Sequence, residues 1–77
     1  MNSKLSFRIV LRPEPEGGYT VLVPSLPGCV TYGDTVEDAV KMAEDAIAAY
    51  LESMKKHDEE IVDDSRTLES ILNVEYA

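Results

Sequence analysis

The sequence predicts an α+β fold, a small β-β-β-α-β sandwich of one mainly antiparallel sheet and one long helix. Three features of its 77 residues carry that expectation. Apolar and polar residues alternate from Leu5 to Leu11, a helical stripe of apolar residues runs from Val36 to Met54, and prolines and glycines punctuate the chain between them. The whole of 1–77 reads as a single domain, without a separate DNA-binding domain.

In the first stretch Leu5, Phe7, Ile9 and Leu11 occupy one face of a strand, and Ser6, Arg8, Val10 and Arg12 the other. Pro13 ends it. Glu14-Pro15-Glu16-Gly17-Gly18 then forms a loop in which either glycine can take the positive φ of a hairpin, so strand 2, Tyr19 to Val23, runs back antiparallel. Pro24 and Pro27 cannot donate to a sheet ladder, which makes Pro24 to Gly28 a stiff corner before a short third strand, Cys29 to Tyr32.

Gly33 breaks that strand, and Asp34 or Thr35 offers a helix N-cap followed by acidic residues that favour the positive end of the helix dipole. At 100° per residue, Val36, Val40, Ala43, Ile47, Tyr50, Leu51 and Met54 fall within an arc of roughly 100°, the width of a core-facing stripe. Opposite lie Asp38, Lys41, Asp45, Ala48, Glu52 and Lys56, with Glu37 to Lys41 and Glu52 to Lys56 in the favourable i,i+4 order. Between the two arcs runs a strip of small residues that includes Ala39, Met42, Ala46 and Ala49. It is either a docking surface for another chain or the rim over the chain's own sheet.

Lys55, Lys56 and His57 suit a helix C-terminus, residues 57–65 read as a charged connector, and Ile71 to Tyr76 alternates enough for a fourth strand. Leu68 to Leu72 is also compatible with a helical turn. A single helix covers one face of such a sheet. The other, carrying Arg8, Val10 and Arg12, is either an oligomer interface or a face open to water.

A domain this small buries only about 60% of its unfolded surface, so self-association or complex formation is expected. Seven basic residues against 15 acidic ones give a net charge of −8, which repels nucleic-acid phosphates and attracts a basic protein. Cys29 is the sole cysteine, which excludes an intrachain disulfide and suits a reducing cytoplasm. No stretch approaches the ~18 apolar residues of a membrane span.

Chemistry has little to work with. A nucleophilic pair would have to join Cys29 to His57, yet the first reads as a small buried thiol and the second as a helix cap. Asp34, Glu37 and Asp38 are accounted for by helix capping, and Asp58, Glu59, Glu60, Asp63 and Asp64 by a solvated connector. No catalytic residue, cofactor or metal site is therefore expected.

The stretch from Gly17 to Tyr50, GGYTVLVPSLPGCVTYGDTVEDAVKMAEDAIAAY, resembles the core of HicB antitoxins. That family's pattern runs G-G-Y/F, alternating apolar residues, P-x-L-P-G-C, then G-x-T/S and a long helix. The resemblance implies a partial RNase H-like fold with strand 4 beside strand 1. It also implies a non-catalytic protein, often a dimer or tetramer, that sequesters HicA, a small basic RNA-cleaving toxin. The exposed residues of the motif loops, Glu14, Glu16, Tyr19, Ser25 and Leu26, are where such a partner is expected to touch. Arg8, Val10, Arg12, Met42, Ala46 and Ala49 are the oligomer-interface candidates. An orphan module that binds a ligand or another protein through its sheet is the alternative.

Overall fold

The computed structural model describes residues 4–77 and contains three strands and one helix. These are β1 (Val10–Pro13), β2 (Tyr19–Leu22), β3 (Val30–Gly33) and α1 (Val36–Lys56), with the antiparallel sheet in the order β1-β2-β3. This is the α+β class that the alternation and the helical stripe predict. In register, Leu11, Val21 and Thr31 form a row on the face toward α1, while Val10, Leu22 and Val30 form a row on the opposite face.

The first hairpin closes because Gly17 and Gly18 adopt φ of 108° and 77°, a region that costs a residue with a Cβ. The Glu14 amide donates to the Gly18 carbonyl at 3.0 Å, and the Thr20 hydroxyl to Glu14 Oε2 at 2.8 Å.

The sequence predicts strand 1 from Leu5, yet its ladder begins only at Val10. The cause lies in β2, which runs out at Leu22. The Val23 amide donates to Cys29 across the corner at 3.2 Å, and Pro24 has no amide hydrogen, so residues 5–9 find no ladder partner on that side. The alternation itself is kept: Phe7, Ile9 and Leu11 all pack inward.

The 23–29 corner closes on itself, with the Leu26 amide donating to Val23 O at 3.0 Å and the Cys29 amide to Leu26 O at 2.9 Å. These bonds turn Leu26 inward, where it joins Val23 and Cys29 in one core cluster beneath Ile47, Tyr50 and Met54 of α1. The Tyr50 hydroxyl donates to Pro27 O at 2.7 Å and ties the helix to the corner.

Helix α1 starts where expected. The Thr35 hydroxyl accepts from the Asp38 amide at 3.0 Å as the N-cap. From Ala43 onward the expected stripe faces the core, with Ala43 buried beside Val21 and Ile47, Tyr50, Leu51 and Met54 packed against the Val23 cluster; in the first turns Ala39 is buried instead, and Val36 and Val40 are exposed. Gly33 decides this. A Cβ there would collide with the backbone of Ala39, so the missing side chain lets the first turn of α1 settle onto the end of β3. Among the described residues, neither Glu37 with Lys41 nor Glu52 with Lys56 closes as an ion pair.

The helix ends in a Schellman motif, with the Asp58 amide donating to Lys55 O at 3.2 Å and the Glu59 amide to Met54 O at 2.9 Å. The expected fourth strand at Ile71 to Tyr76 is not formed. Beside residues 6–8 the chain instead places a turn. The Asp64 amide donates to Ser6 O at 2.7 Å, and the carboxylates of Asp63 and Asp64 accept from the amides of Ser6 and Arg8, both at 2.9 Å. Beyond Thr67 the chain forms neither helix nor strand and is exposed, and the overall dimensions are 50 × 27 × 21 Å.

Candidate binding surfaces

Glu14 and Glu16 on the first hairpin, with Asp34 on the β3–α1 turn, converge on one end of the sheet. All three carboxylates act on the phenol of Tyr32, whose pKa is raised above its ordinary value first by desolvation and then by Asp34, Glu14 and Glu16. The Tyr32 hydroxyl donates to Gly17 O at 2.9 Å, which holds the exposed ring against the hairpin. Glu16 is exposed, while Glu14 is half-buried and partly committed to Thr20. This end therefore presents an aromatic ring rimmed by negative charge.

Other loop residues expected to meet a partner are engaged inside the protein. Leu26 is 2% exposed and belongs to the core. Tyr19 is half-buried and packs against the Val21 cluster, because its strand parity puts it on the helix-facing side of β2. Ser25 is half-buried and donates its hydroxyl to Asp64 Oδ1 at 2.6 Å.

The outer sheet face carries Val10 and Arg12, both exposed, together with Val30 and Tyr32, so the row Val10–Leu22–Val30 is an apolar band crossing all three strands. Arg8 is not free on that face, since its Nε lies 3.7 Å from Asp64 Oδ1. Of the small-residue strip, Met42 and Ala49 are exposed. Ala39 is buried and Ala46 half-buried against the chain's own core, which is the rim arrangement.

Asp64 was unforeseeable as a structural residue from its surroundings in a run of acids. It is the one buried charged side chain among the described residues, and it accepts from Ser25, the Arg8 amide and the Thr67 hydroxyl. Those hydrogen bonds, with Ser25 foremost, lower its pKa to about 2. A carboxylate so fully used internally has little left to offer a ligand.

Cys29 is buried, which pushes its thiol pKa up and away from the reactive thiolate. His57 is the C-cap of α1, exposed, with Nδ1 2.8 Å from Ser53 O. Among the described residues, no three His, Cys, Asp or Glu side chains are grouped closely enough to hold a metal ion, and no helix is long and apolar enough to cross a membrane.

Comparison with known proteins places the chain in a family. A family model described as the HicB-like antitoxin of bacterial toxin-antitoxin systems matches residues 7–77. A UPF0150 protein of Thermoplasma acidophilum is 41% identical over 61 residues, covering 79% of this chain and 88% of that protein. Antitoxin HicB 1 of Photorhabdus laumondii is 39% identical over 57 residues, 74% of this chain and 37% of that protein. Antitoxin HicB of Escherichia coli K12 is 40% identical over 43 residues, 56% of this chain and 31% of that protein. The chain spans about a third of the length of these two named antitoxins. With the family model matching from Phe7 to the last residue, the chain belongs to the HicB-like antitoxin family.

Proposed function

We propose that this protein is a non-catalytic antitoxin that sequesters a small basic RNA-cleaving toxin of the HicA type in the cytoplasm. The observation that carries this reading is the placement of charge. Of 15 carboxylates only Asp64 is buried, and Glu14, Glu16 and Asp34 gather around an exposed tyrosine. A cationic partner approaching that end gains long-range attraction, and its arginines find both carboxylates and an aromatic face.

Sequestration needs no chemistry from this chain. It needs a surface that covers the toxin. A second reading, an orphan module that binds a different protein through its sheet, is favoured by the apolar band Val10–Leu22–Val30.

The test is co-expression with a small basic HicA-type protein, sought in the adjacent reading frame, read by pull-down and by growth. A complex that weakens with salt, rescue of growth, and loss of both in the triple variant Glu14→Lys, Glu16→Lys, Asp34→Lys are expected. Rescue that persists in the triple variant but fails in Val10→Asp, Val30→Asp would move the contact to the outer sheet face. No complex and no rescue with the unmodified chain would leave the orphan reading.

A further inference from the structure

The C-terminal segment is the least comfortable part of the molecule in water. Leu68, Ile71, Leu72, Val74 and Tyr76 are 94%, 90%, 83%, 74% and 95% exposed, so five large apolar side chains within nine positions touch almost nothing of their own chain. Leu72, Val74 and Tyr76 recur with period two, so an extended backbone presents them together on one face.

Elsewhere the same chain leaves an apolar groove unfilled. One wall is the extended stretch with Leu5, Phe7 and Ile9, and the other is the α1 face with Val40, Ile47 and Leu51. Its volume is about 400 Å³, and a second hollow of about 460 Å³ continues it past Leu5 and Leu51 toward the end of α1. The groove exists because α1 lies over β3 and β2, leaving the β1 side of the inner face uncovered.

We propose that the segment from Leu68 to Tyr76 of one chain lies in this groove of a second copy, and reciprocally, forming a tail-exchanged dimer. The turn that launches the tail points to a second copy. Asp64 is fixed to Ser6, Arg8 and Ser25, and Thr67 bonds back to Asp64 through both its amide and its hydroxyl at 3.0 and 2.9 Å. From that anchored turn the tail leads away from the body rather than back over its own groove, as its near-complete exposure shows.

Each chain carries one tail and one groove, so a two-fold exchange covers both surfaces on both copies with nothing left over. Burying five such side chains twice, with the groove walls, removes on the order of 1,000–2,000 Å² from water, the range of specific stable interfaces. The inference does not depend on the toxin reading.

The test uses the full chain by itself. Light scattering after size exclusion is expected to give at least twice the 8.5 kDa chain mass. The double variant Leu72→Asp, Val74→Asp is expected to run at the single-chain mass with an unchanged circular dichroism spectrum, because those side chains support nothing within their own chain. Disulfide trapping then locates the contact. Chains carrying Val74→Cys, mixed with chains carrying Ala48→Cys in the groove, are expected to cross-link to each other, while buried Cys29 stays out of the reaction. Three results would overturn the proposal: a single-chain mass for the unmodified protein, dimers that survive Leu72→Asp, Val74→Asp, or closure of the 48–74 disulfide within one chain when both cysteines are placed together.

Discussion

Gly33 is where sheet and helix touch most closely. Its replacement by alanine adds one methyl group against the Ala39 backbone, which cannot move without lifting the first turn of α1 from β3. Gly33→Ala is therefore expected to lose about 1–3 kcal/mol in urea denaturation, as overpacking at a rigid contact does. Asp58 is the opposite case. It sits at φ 56° directly after the C-cap, a left-handed conformation that strains a residue with a Cβ. Asp58→Gly keeps the Schellman bonds and relieves that strain, so a gain of about 1 kcal/mol is expected from the same measurement.

Asp64 sets a pH dependence. Its pKa falls from 3.8 to about 2 on folding, so the folded state favours the ionised form. The resulting stabilisation is complete above about pH 4 and disappears as pH falls toward 2. Asp63, held by the amide of Ser6 and then by Ser65, shifts in the same direction. Melting temperature measured from pH 5 to pH 2 is expected to fall through this window in the unmodified protein. It should fall less steeply in Asp64→Asn, where the contribution of Asp64 is gone and that of Asp63 remains. An equal slope in both would remove Asp64 from its assigned role.

The elements differ in how far the sequence discloses them. Helix α1 was legible in nearly all respects, since Thr35, the acidic first turn and the basic last turn mark its ends, and the observed span Val36–Lys56 follows them. Its core face was legible from Ala43 onward but not in the first turns. Periodicity averages over the apolar stripe and gives weight to large residues such as Val36 and Val40, whereas the observed contact is made by Ala39 and Ala43 beneath a glycine. A close approach between two backbones favours small residues, and that signal becomes readable only once the facing Gly33 is known.

Strand parity was equally legible, but strand ends were not. The ladder start at Val10 depends on where Val23 sends its amide hydrogen, a partner choice settled by the folded corner. Asp64 was hidden for a similar reason, because a buried carboxylate and a solvated one look alike in a run of acids. The expected site residues divide along this line. Glu16, Val10, Arg12, Met42 and Ala49 stand exposed, while Tyr19 and Leu26 were drawn inward by strand parity and by the self-closing corner. The N-cap itself gives a prediction at this scale. Thr35→Ala removes the acceptor for the Asp38 amide and is expected to cost about 1 kcal/mol, with the loss recovered in Thr35→Ser.

At the scale of the whole molecule, charge and apolar surface are separated in a way that assigns them different jobs in binding. Exposed carboxylates act beyond contact distance, over the ~8 Å at which physiological salt screens them, so for the proposed cationic partner they would raise the rate of encounter. Apolar contact acts only after docking and governs how long the complex lasts. Surface plasmon resonance against the proposed basic partner is therefore expected to separate the two. Between low and physiological salt the association rate should fall while dissociation changes little, and the triple reversal at Glu14, Glu16 and Asp34 should lower association and flatten its salt dependence. The exposed ring of Tyr32 lies among those carboxylates, and on the proposed reading it would contribute after contact. Tyr32→Ala is accordingly expected to speed dissociation while leaving the salt dependence of association as it was. If Tyr32→Ala instead altered association alone, the ring would be a bystander to an electrostatic encounter and not part of the docked surface.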